Sequence, residues 1–119
     1  MTREPTLPFA AAIFLLTASA APAAERMRFW NLTTATITEL RLASAGTGRW
    51  GPNQCDGDPD KSVDSDERLT LTGVEPGVYD VKLSDKTGRT CLVRNVEVKS
   101  GRPYAFSLSD NDLRECEPR

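Results

Sequence analysis

Residues 77–98, GVYDVKLSDKTGRTCLVRNVEV, decide the fold. Two runs of alternating apolar and polar residues flank Asp85-Lys86-Thr87-Gly88, a turn cluster that ends in glycine. Tyr79, Val81 and Leu83 share one face and Val78, Asp80 and Lys82 the other, the period of two that marks a strand with one buried side. Cys91 and Val93, then Val96 and Val98, repeat the pattern on the return. The phase slips at Asn95, which predicts a bulge. The stretch reads as a β-hairpin at the centre of a small all-β domain.

The same grammar recurs on either side. Residues 27–31 suit a first strand carrying the aromatic residues Phe29 and Trp30, of which Trp30 is expected in the core, and residues 33–43 a second whose apolar members are Ile37, Leu40 and Leu42. Arg68 to Thr72 alternates, Pro76 sits in a turn, and Gly101-Arg102-Pro103 turns the chain into a last strand over 104–108. Six or seven short strands without a helical period predict a small antiparallel β-sandwich, immunoglobulin-like or transthyretin-like; a partly open barrel is the alternative. Residues 44–66 carry no periodicity and read as a long acidic loop outside the packed interior. Residues 109–119 read as a polar tail, a turn followed by an irregular end that is held only if Cys116 is bridged.

The N-terminal residues have a different character. Arg3 precedes an apolar run from Phe9 to Leu16, and the small residues Ala21 and Ala23 follow. This order predicts a Sec-type signal peptide over 1–23 and a single domain over 24–119, hence a periplasmic or secreted protein. The run is shorter than the roughly 20 residues that span a bilayer, so no membrane span is expected after processing. Export also predicts one disulfide among Cys55, Cys91 and Cys116. Cys91 with Cys116 would tie the tail to the hairpin; Cys55 with either of the others is left open.

With 15 basic and 17 acidic residues the net charge is −2, and no basic stripe is present. Such a balance predicts neither nucleic-acid nor anionic-membrane partners. Asn31-Leu32-Thr33 matches a glycosylation sequon, but an asparagine at a strand end is the simpler reading.

Taken in order, Trp50-Gly51-Pro52-Asn53, Asp66-Glu67-Arg68-Leu69, Tyr79-Asp80-Val81-Lys82, Gly88-Arg89 and Val93-Arg94-Asn95-Val96 resemble the pattern of a group of small uncharacterised exported bacterial β-sandwich proteins. That resemblance implies the fold and the export and carries no activity with it.

Two stretches hold candidate ligand residues. From Asp56 to Glu67, carboxylates at Asp56, Asp58, Asp60, Asp64 and Glu67 follow calcium-loop spacing, in which alternating oxygens wrap a hard cation. Lys61 stands where that loop needs glycine, Pro59 stiffens it, and no helix flanks it, so an EF-hand is excluded. Five aspartates and one glutamate against Lys61 leave −5 over these residues, which a bound divalent cation would offset. The alternative is a solvated loop built from Asp and Ser side-chain turns. Arg49, Trp50 and Asn53 form the second candidate. A loop tryptophan is either a platform for a partner or a cap over the open end of the sandwich.

Catalysis finds little footing. The chain has no histidine and no CxxC spacing, which removes Ser–His and Cys–His nucleophiles, His-ligated zinc and thiol oxidoreductase chemistry. The leading expectation is a non-catalytic exported accessory or interaction module without a cofactor, acting on an unknown protein or envelope component. The alternative is a calcium-binding module using the acidic loop.

Overall fold

The central hairpin forms as its pattern dictates. In a computed structural model, which describes residues 27–118, β4 (Gly77–Asp85) and β5 (Thr90–Val98) pair antiparallel. The turn between them is fastened by the Asp85 carbonyl, which accepts the Gly88 N–H at 2.9 Å. Gly88 has φ 94°, a left-handed conformation that a side chain would oppose. Burial alone would raise the Asp85 carboxyl, but hydrogen bonds from Thr87 and Arg89 outweigh it and hold the group below its usual range.

The bulge forms at the other end. Tyr79 faces Val96 and Val81 faces Val93, so Arg94 and Asn95 together oppose Asp80, and Asn95 takes φ 57°. The hairpin pattern put Asp80 on the polar face, yet its side chain is buried. Its carboxylate accepts the backbone N–H groups of Gly46 and Asn95, each at 3.0 Å. One carboxylate thereby fixes both the bulge and the turn after the neighbouring strand β2 (Ile37–Ser44).

The strand β2 pairs with β4, and the short β7 (Glu115–Glu117) pairs with β5, giving a four-stranded sheet of order β2-β4-β5-β7. A second sheet has the order β3-β1-β6, from β1 (Arg28–Leu32), β3 (Arg68–Thr70) and β6 (Phe106–Ser109). Phe29, Leu69, Phe106 and Leu108 from this sheet and Ile37, Leu40, Val81, Leu83 and Cys91 from the other belong to one buried cluster. The Phe29 and Phe106 rings lie 5.0 Å apart at its centre. The molecule is a small seven-stranded β-sandwich, with 3-10 turns as its only helical elements among the described residues.

Four expectations need amendment. The strand β6 runs parallel to β1, Phe29 opposite Phe106, while the other pairings are antiparallel. The chain crosses from one sheet to the other between β5 and β6, so no hairpin forces the direction of that pair. Trp30 is not in the core: alternation along β1 sends Phe29 and Asn31 inward and Trp30 outward. There the Trp30 ring carries the Arg68 guanidinium 4.2 Å from its centroid and packs on Tyr104 at 5.1 Å. The Cys91–Cys116 disulfide ties the tail to the hairpin as expected, but the end it holds is not irregular: it forms β7, with the two cysteines directly opposed across the ladder.

The acidic loop, fourth, is not excluded from the interior. Cys55 and Val63 are both buried in the core, and Val63 makes a two-bond bridge with Ile37. The second strand consequently starts at Ile37 instead of Thr33, because residues 33–36 form a corner around Asn31. Asn31 is 0 % exposed: its amide donates to the Ala35 and Val63 carbonyls and accepts the Thr33 N–H and hydroxyl. Every polar atom of that side chain is satisfied within the fold, as burial requires, and the sequon asparagine is inaccessible. The expected signal peptide over 1–23 lies outside the described residues.

Candidate functional site

The five carboxylates with calcium-loop spacing do not converge. Asp56 lies exposed on the 3-10 turn Gln54–Gly57. Asp58 accepts the Asp60 N–H at 2.8 Å, a local side-chain turn, and Asp60 is exposed. Asp64 accepts the Thr36 hydroxyl, and Glu67 accepts the Asp64 N–H, each at 3.0 Å. Lys61 adopts φ 58°, the conformation a calcium loop reserves for glycine at that place, but its ammonium donates to the Asp56 carbonyl. Among the described residues no three His, Cys, Asp or Glu side chains are grouped to hold a metal ion. Asp66, outside the spacing, accepts the Trp30 indole N–H at 3.0 Å.

Arg49, Trp50 and Asn53 separate into different tasks. Asn53 is structural: its Oδ1 accepts the N–H groups of Leu40 and Cys55, and its Nδ2 donates to the Thr38 carbonyl. The amide thus stands in for a paired strand along the open edge of β2, where Gly51 also donates its N–H to the Leu42 carbonyl. A Cβ on Gly51 would sit 3.3 Å from that carbonyl oxygen, so glycine suits the close approach. Arg49 is exposed, with its backbone N–H on the Thr47 hydroxyl.

Trp50 is half-buried, and it lies on the outward face of the four-stranded sheet instead of closing the core. Its ring takes the Lys82 ammonium 4.7 Å from the centroid, a cation–π contact. Beyond this pair the face is concave. An open cavity of about 560 Å³ is bordered by Trp50, Lys82, Leu92, Arg94, Arg114, Glu115 and Glu117. Register explains the gathering. Lys82 opposes Leu92, and Leu92 opposes Glu115, so one cross-strand row carries all three.

Electrostatics divides the cavity. Glu115 accepts two hydrogen bonds from the Arg94 guanidinium, at 3.0 and 3.3 Å, and that partner pushes Arg94 above its ordinary range. Lys82 and Arg114 have no carboxylate within ion-pair distance among the described residues; Arg114 donates to the Asn111 carbonyl at 3.2 Å. The sequence reading missed Lys82, Leu92, Arg94 and Arg114. Leu92 was the available signal: with Cys91 and Val93 inward, it had to be an apolar side chain facing out.

The remaining cysteine is inert. Cys55 is free and buried, with Sγ directed at the Ile37 carbonyl at 3.7 Å. Burial, reinforced by the charges of Asp58, Asp56 and Glu39, pushes its thiol up to about 11, where the nucleophilic thiolate is scarce at neutral pH.

Compared with protein-family models, with curated proteins and with solved structures, the chain shows no match. No helix among the described residues is long and apolar enough to cross a membrane.

Proposed function

We propose that this chain is an exported, non-catalytic β-sandwich that binds a protein partner through the outward face of its four-stranded sheet, centred on Trp50. The observation that carries the reading is the position of Trp50. It stands over Lys82 at the rim of an open cavity, outside the packed cluster of the core. Half-exposed tryptophan beside arginine is the composition of interface anchors. The export reading is supported by the N-terminal apolar run and by the Cys91–Cys116 disulfide, a bond that persists in oxidising compartments. The non-catalytic reading is supported by a chain without histidine and by the buried thiol of Cys55.

Site-specific photocrosslinking tests it. A photoreactive residue at Leu92 should yield a discrete adduct in envelope extract. The same residue at Thr70, exposed on the other sheet, should yield none. Equal adducts from both positions, or none from Leu92, would contradict the proposal.

A further inference from the structure

We infer that the partner segment taken by this face is an extended, acidic stretch of polypeptide. The inference rests on the binding reading above and names the chemistry of its ligand. The chain is acidic overall, yet three cations, Lys82, Arg94 and Arg114, border one cavity against two carboxylates, Glu115 and Glu117, and of the cations only Arg94 is ion-paired among the described residues. The Lys82 ammonium is held against the Trp50 ring with no carboxylate in ion-pair contact, although Glu39 lies near enough to feel its charge, and it can still take an incoming carboxylate.

The molecule already contains one instance of the contact. Glu115, on the extended strand β7, lays its carboxylate on the Arg94 guanidinium through two hydrogen bonds. An acidic residue on a strand is therefore a geometry this surface accommodates. The span of the site decides between a small carboxylate and a polypeptide. Lys82, Leu92 and Glu115 occupy three successive strands, so the row is about 10 Å wide at ordinary strand spacing. A single small anion is shorter than that row. An extended chain, with like-facing side chains about 7 Å apart, sets a carboxylate on Lys82 or Arg114 and an apolar side chain against Leu92 and Trp50 together.

The test uses a short synthetic peptide alternating glutamate with leucine and serine, and a second peptide with glutamine in place of glutamate. Each is titrated into the full-length protein while backbone and indole N–H signals are followed by NMR. The glutamate peptide should move the Trp50 indole and the Leu92 and Arg114 amides and leave the Trp30 indole in place. The glutamine peptide should bind about tenfold more weakly, and Lys82→Glu with Arg114→Glu should weaken the glutamate peptide by a similar factor at unchanged melting temperature. Equal binding of both peptides, movement of the Trp30 indole instead, or undiminished affinity in the charge-reversed protein would overturn the acidic preference. If Leu92 crosslinking still yields its adduct in that case, the binding face stands and only the ligand chemistry fails. Loss of that adduct as well removes both.

Discussion

The side-chain amides of Asn53 and Gln54, adjacent in the chain, hydrogen-bond to opposite layers of the sandwich. Asn53 pairs with the Leu40 N–H and Thr38 carbonyl of β2, and Gln54 pairs with both the N–H and the carbonyl of Thr72, just past β3. These strands form the edges of the two sheets on one side of the molecule, so two consecutive amides fasten the sheets together there. An edge closed by side chains also offers no row of free backbone groups for aggregation.

Removing either amide strips two or three hydrogen bonds from part-buried backbone groups, which at about 0.5–1.5 kcal/mol each costs roughly 1–3 kcal/mol. Asn53→Ala and Gln54→Ala should each destabilise by that amount in urea denaturation. The double variant should depart from additivity, because both amides hold one 3-10 turn. Two neutral single variants would show that the edge is held by other contacts.

The disulfide should govern β7 and little else. The strand has three residues, none fully buried, and its bridge spans 25 positions. A cross-link of that span contributes about 3 kcal/mol on chain-entropy grounds. Cys116→Ser should therefore lower stability by about that much, and hydrogen exchange should show amides 115–117 freed while β4 stays protected. Native protein should take up no alkylating agent. Unfolding without reductant should expose one reactive thiol, that of Cys55.

Acid should loosen the bulge. Backbone hydrogen bonds from Gly46 and Asn95 hold the Asp80 carboxyl below its ordinary 3.8, outweighing burial. A carboxylate depressed in the folded state stabilises fully above its unfolded pKa, and that contribution disappears as pH falls below 3.8 through the folded value. Asp85 acts with the same sign. Stability should fall steadily on acidification below that point, and Asp80→Asn should flatten the dependence in melts recorded from neutral pH downward. An unchanged slope would remove Asp80 from the account.

Calcium should have no effect on folding. A hard cation needs six or more converging oxygens, and here Asp58, Asp64 and Glu67 serve neighbouring donors within the loop or the Asn31 corner. Millimolar calcium should leave the melting temperature within about 1 °C, since only ligands that bind the folded state raise it. A rise of several degrees, lost in Asp64→Asn, would show that the loop reorganises around the ion.

How far the sequence disclosed this arrangement depended on the kind of signal each residue carried. Alternation located β4 and β5, and the phase slip at Asn95 located the bulge, because period two follows directly from backbone geometry. Trp30 was misread because a bulky aromatic in a strand says nothing about phase until its neighbours are placed; Asn31, the inward one, looked polar. The loop hid its anchors because Cys55 and Val63 are isolated apolar residues among aspartates, and only the bridge to Ile37 reveals their burial. The strand β7 has no pattern over Glu115-Cys116-Glu117, since a bond to Cys91 holds it, a constraint not legible in local sequence. The Trp50 cavity draws on four separated segments. Trp50 itself stood out in the sequence, whereas Lys82, Leu92 and Arg114 became neighbours only through register.

The most direct test of the Trp50 face separates stability from binding in a single variant, Trp50→Ala. Its urea midpoint should stay equivalent to within about 0.5 kcal/mol of the parent protein, as for a surface position, while the Leu92 crosslinked adduct is lost. Destabilisation by about 3 kcal/mol or more, with the adduct retained, would mean that Trp50 serves the core and would contradict the account.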